Sequence, residues 1–110
     1  MLKTLKNLGF KQVDAEVYLF LSKMGSQKGR NIAGNLKLYK QQLYCSLKRL
    51  QNKGFVRATA EHPALFSAVP LEKVLDLFLI EKAKQAETLQ ANRDELLSSW
   101  ISMIKNSKES

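Results

Sequence analysis

The sequence holds one cysteine and one histidine in 110 residues. One cysteine cannot close an intramolecular disulfide, which agrees with a reducing compartment. Cys45 and His62 together fall short of the ligand set a zinc site needs, so no metal is expected. As a nucleophilic pair they lack a third, orienting group, and no glycine-rich phosphate loop is present. No cofactor and no enzyme activity are therefore expected. No run approaches 18 apolar residues, which excludes a membrane-spanning helix. The opening stretch, MLKTLKNLGF, has lysines but no apolar core and no small-residue cleavage site, so the chain is read as cytoplasmic.

Acidic residues are scarce in the first part of the chain. Residues 1–60 hold 12 lysines and arginines against 2 acidic residues, whereas residues 61–110 hold 6 against 8. The net charge of +8 thus belongs to one region, which points to a polyanionic partner for that region. Charge alone fits DNA, RNA or an anionic membrane surface. Single-stranded RNA readers use an exposed aromatic platform, and the chain lacks one.

A hydrophobic content of 45% supports one folded domain with an appended element. Leu2, Leu5 and Leu8 make a short amphipathic turn closed by Gly9. Val13, Val17, Phe20, Leu21 and Met24 then recur at helical spacing, with Gly25 as the stop. Asp14 and Glu16 fall in the first turn of that helix, where its dipole favours negative charge. A short helix follows with Ile32, Ala33 and Leu36 inward, although Gly34 weakens it. After a break at about 37–39, Leu43, Leu47 and Leu50 mark one narrow stripe of a helix from about Lys40 to Asn52, ended by Gly54. Two short helices across a tight break, the second one basic, form a helix-turn-helix pattern.

The period then changes. FVRAT and LFSAV read as a hairpin around the loop AEHPA, and Pro70 opens a last helix in its first turn. In that helix Leu75, Leu79, Lys82, Ala86, Leu89, Arg93, Leu96, Trp100 and Met103 alternate in steps of four and three, a heptad seam. From 71 to 104 it extends roughly 50 Å, more than a domain of about 70 residues can cover. The expected partner is a second copy, with Leu75, Leu79, Ala86, Leu89, Leu96, Trp100 and Met103 in the interface. The expected division is a winged helix-turn-helix domain at 1–70, a dimerisation helix at 71–105 and a disordered tail at 106–110. The fold class is mainly α with a small β-hairpin wing.

These residues carry a family pattern. Leu8-Gly9, Ala15 with Tyr18-Leu19, Ile32-Ala33, the series Tyr44, Leu47, Leu50, Lys53, Gly54, and Phe66-Ser67-Ala68-Val69-Pro70 occur in order. Over about residues 5–90 the chain resembles the TrmB-type family of prokaryotic, chiefly archaeal, transcriptional regulators. The resemblance implies a winged helix-turn-helix that binds duplex DNA, usually as a dimer. The chain departs from that pattern at Tyr39-Lys40-Gln41, where the family carries Pro or a small residue and Ser or Thr, so base readout differs. It departs again at the wing tip, Glu61-His62-Pro63, which leaves Arg57 as the main wing cation. Larger members add a sugar-binding domain, and sugar sensing is not carried over to this chain.

In a helix-turn-helix the second helix enters the major groove. Gln41, Gln42, Cys45 and Lys48 are then the candidates for base edges, because amides suit adenine and lysine suits guanine. Lys28, Arg30, Lys40, Tyr44, Arg49 and Arg57 are the candidates for phosphate contacts. Cys45 on that face also offers a site for oxidation. The expected function is a sequence-specific, homodimeric regulator on double-stranded DNA. The alternative is a winged-helix interaction module in a larger complex, without DNA specificity of its own.

Overall fold

The computed structural model describes residues 1–109, with the side chains of 107–109 outside that description. Of the segment expected as a tail at 106–110, the backbone of 106–109 is described, as the end of the long helix Leu71–Glu109, and Ser110 lies outside the described residues. Helix α1 (Leu2–Asn7) buries Leu5, and Gly9 turns the chain at φ 110°. Phe10 then stacks on Phe55 at 5.4 Å between ring centroids and tilts against Tyr18 at 5.9 Å.

Helix α2 (Gln12–Met24) ends at Gly25, whose φ of 79° suits only a residue without a Cβ. Its buried face differs from the one expected. Val17 and Leu21 are buried, but Met24 is exposed, and Asp14, Ala15 and Tyr18 take the interior instead. Polar atoms go inside when they are partnered. The Tyr18 hydroxyl donates to the Val69 carbonyl at 2.6 Å, and Asp14 accepts from helix α4 (Lys40–Asn52). Asp14 thus serves a tertiary contact as well as the helix dipole.

Strand β1 (Gln27–Lys28) leads into α3 (Gly29–Leu36), where Ile32 is fully buried and Ala33 and Leu36 partly so. Lys37 takes a left-handed conformation at φ 55° and sets the break before α4. On α4, Leu43, Leu47 and Leu50 form the buried stripe, and Gly54 ends the segment at φ 81°. That backbone angle favours glycine, and a Cβ there would press on the Leu77 Cδ1 at 3.3 Å.

The wing is strands β2 (Val56–Ala58) and β3 (Leu65–Ala68), paired antiparallel with Arg57 opposite Ser67. Strand β1 pairs on the other side of β3, with Gln27 opposite Phe66, so the sheet order is β1-β3-β2. This third strand is not visible in the sequence, because two residues have no period. Pro70 stands just ahead of α5 (Leu71–Glu109) rather than in its first turn, and its carbonyl accepts from the Lys73 and Val74 N–H groups. The architecture is a winged helix-turn-helix with a long C-terminal helix. One compact unit takes in residues 1–77, so the first turns of α5, with buried Val74, belong to its core. The second unit starts at Phe78 and is the rest of α5.

Candidate nucleic-acid interface

Helix α4 is fixed from its inner side. Besides the three leucines, Ser46 is fully buried, and its hydroxyl donates to Asp14 Oδ1 at 2.6 Å. One turn along, Arg49 donates from Nε to Oδ2 at 3.0 Å and from Nη2 to Oδ1 at 2.8 Å. Burial pushes the Asp14 carboxyl up, but the hydrogen bonds from Arg49 and Ser46 and the charges of Arg49 and Lys53 outweigh it, so its pKa lies below the ordinary value. The same bond raises the Arg49 pKa. A buried carboxylate with every bond on α4 holds the helix in one rotation and one register against α2.

The outer side is left to solvent. Gln41, Gln42, Cys45 and Lys48 are exposed, and 41, 45 and 48 share one stripe at steps of four and three. Gln42 is partly committed, because its side-chain oxygen accepts from the Tyr39 backbone N–H at 3.1 Å and closes the first turn. Its amide N–H groups remain as donors, so it suits acceptor edges better than the two-bond pairing with adenine. Lys40 and Tyr44 flank the stripe, with the Lys40 Nζ 5.9 Å from the Tyr44 ring centre.

Apart from Lys40, the expected phosphate contacts fall into three groups. Arg49 lies on the shallow surface that also carries Gln41, Gln42 and Cys45, but its guanidinium is engaged by Asp14. Lys28, Arg30 and Tyr44 line a cleft with the wing tip residues His62 and Pro63. Arg57 is exposed on β2 and borders a different hollow with Lys73 and Asp76. Sequence reasoning missed Ser46 as an inner anchor of α4 and His62 as a lining residue of the cleft. Ser46 had a signal, since it falls three residues after Leu43 in the apolar stripe; His62 had none.

Along α5 the seam residues Leu75, Leu79, Ala86, Leu89, Leu96, Trp100 and Met103 are all exposed in the single chain, Leu79 at 70% and Trp100 at 56%. Among the described residues no group of His, Cys, Asp and Glu could hold a metal ion, and no helix is long and apolar enough to cross a membrane.

The sequence profile of the TrmB family, described as sugar-specific transcriptional regulators, matches residues 5–72. The chain belongs to the TrmB family. That family consists of transcriptional regulators, not enzymes. No curated protein matches this TrmB-family chain. Among solved structures it is similar to TrmBL2, an archaeal chromatin protein, at 16% identity and a TM-score of 0.80 over 99% of this chain. It spans only 44% of the TrmBL2 chain. It is also similar to ST1889 from the thermoacidophilic archaeon Sulfolobus tokodaii, at 25% identity and a TM-score of 0.65, over 81% of this chain and 97% of that one. A MarR-family transcriptional regulator from Silicibacter pomeroyi matches over 94% of this chain and 77% of its own, at 20% identity and a TM-score of 0.57. TrmBL2 and the MarR-family regulator are likenesses of fold alone. The chain is a winged-helix transcriptional regulator.

Proposed function

We propose that this regulator binds double-stranded DNA as a homodimer, with α4 in the major groove and the α5 seam joining the two copies. One observation carries the reading. The inner face of α4 is bolted to the domain by three leucines, Ser46 and Arg49, while Gln41, Cys45 and Lys48 stand on an exposed outer stripe. A groove-reading helix needs that division between a fixed inner face and donors at the open edge. The basic balance of residues 1–60 supports a phosphate partner, and TrmBL2, which shares the fold, binds DNA. Gln41, Gln42, Cys45 and Lys48 face base edges; Lys28, Arg30, Lys40, Tyr44 and Arg57 contact the backbone. Arg49 acts mainly by positioning the helix. Two such helices on a dimer meet successive major grooves about 34 Å apart, so the operator is a near-palindrome.

The exposed apolar residues of α5 would equally suit a different protein, as in an interaction module. Fluorescence anisotropy separates the two readings. On random duplex DNA across a salt series, the regulator gives log K falling steeply with log salt, by several phosphates' worth of slope, and prefers duplex over single-stranded RNA. No duplex binding at low salt would favour the interaction module.

A further inference from the structure

We propose that the α5 helices of two copies pair antiparallel in one fixed register, with Ala86 of each copy against Leu89 of the other. The inference rests on the homodimer reading above.

The seam of α5 reads the same from either end. From Leu75 to Trp100 its order is two apolar residues, a lysine, two apolar residues, an arginine and two apolar residues. The midpoint falls between Ala86 and Leu89. Turning a second copy end for end about that point sets Leu75 against the partner's Trp100 and Leu79 against the partner's Leu96. Lys82 then faces the partner's Arg93, and Ala86 the partner's Leu89. Apolar layers meet apolar layers throughout, and cations share a layer from which their long stems carry both charges to solvent. A shift of one heptad destroys the match. In one direction it sets Trp100 on the partner's Lys82, and in the other Leu75 on the partner's Arg93. Either leaves a cation against an apolar side chain, at a desolvation cost.

Size selects antiparallel over parallel pairing. In a parallel pair each residue meets its own counterpart. Ala86 on Ala86 then leaves a gap, and Trp100 on Trp100 crowds two of the largest side chains into one layer. The antiparallel register sets the small Ala86 against a leucine and Trp100 against a leucine. Charge does not choose, since cations face cations in both arrangements. The surface is uncovered within one chain: Leu79, Leu89, Leu96 and Trp100 are 55% to 70% exposed. With Leu75 against the partner's Trp100, the two starts of α5 stand roughly 38 Å apart at 1.5 Å per residue. That is on the scale of the roughly 34 Å between successive major grooves, whereas a parallel pair brings the two starts together.

Disulfide trapping tests the register in a Cys45→Ser background, which removes the native thiol. Leu79→Cys and Leu96→Cys are oxidised singly and as a mixture. The mixture should form a linked dimer. Neither variant alone should, because like positions stand roughly 25 Å apart along the pair. Ser98→Cys is exposed and lies opposite the seam, so a spin label there leaves the seam intact. Double electron–electron resonance should give a label separation beyond about 30 Å, against about 20 Å for a parallel pair. Cross-linking of Leu79→Cys with itself, or the short Ser98 separation, overturns antiparallel pairing and leaves the dimer reading standing. A long separation without the mixed disulfide overturns the register. A wild-type chain that sediments as a monomer at the same concentrations overturns both the pairing and the dimer.

Discussion

Asp14 and Arg49, 35 positions apart in sequence, meet in a two-bond ion pair at 2.8 and 3.0 Å that ties α2 to α4. The Asp14 side chain is 4% exposed and the Arg49 side chain 36%, so the carboxylate is the desolvated member. Losing its charge leaves the Arg49 cation and the Ser46 hydroxyl short of their acceptor.

Asp14→Asn is expected to destabilise the fold by about 2 kcal/mol, at the low end for a broken buried pair because Arg49 is partly solvated. Ser46→Ala should cost about 1 kcal/mol. Urea unfolding followed by circular dichroism measures both. The double variant should fall short of the sum, since the two side chains share one carboxylate.

The same carboxylate sets an acid limit. Its folded-state pKa lies below the ordinary value, so the stability it confers is fully present above the unfolded value, about 3.9, and is lost as pH falls through the folded one. Unfolding free energy should be level in this respect above about pH 5 and drop below about pH 4. The Asp14→Asn variant should show a shallower drop, and unfolding curves from pH 2.5 to 7 check the difference.

Lys48→Ala should weaken binding to a selected operator by about 1 kcal/mol or more while leaving stability unchanged, because the side chain is exposed. Arg57→Ala should instead weaken all duplexes alike and reduce the salt slope by about 1. Competition anisotropy with operator and random duplex distinguishes the two patterns.

Leu89→Glu should turn the proposed dimer into a monomer, since it puts a charge at an apolar position of the seam. Sedimentation equilibrium reads the change directly. Trp100 is the single tryptophan of the chain and is 56% exposed without a partner, so its emission should shift to the red in the Leu89→Glu variant.

Much of the fold is legible in the sequence because it is written in local patterns. The stripe Leu43–Leu47–Leu50 and the stops at Gly25 and Gly54 fix α2 and α4. What escapes is written in distant partners. Asp14 reads as a dipole residue because its acceptor role depends on side chains more than 30 positions away. Tyr18 reads as a family residue, but it faces inward because its hydroxyl finds the Val69 carbonyl. Strand β1 exists only because β3 offers an edge to Gln27 and Lys28. At the candidate interface the exposed stripe is legible, whereas the engagement of Arg49 by Asp14 and the arrival of His62 beside Lys28 and Arg30 depend on tertiary placement.

The central claim is that the outer stripe of α4 reads the major groove. Methylation interference at guanine N7, a major-groove atom, on an operator selected from random duplex tests it most directly. The account predicts that methylation blocks binding at two clusters centred about one helical turn apart, with Lys48→Ala relieving the block at one guanine in each half-site. Binding that tolerates methylation at every guanine N7 of a guanine-containing operator would contradict it.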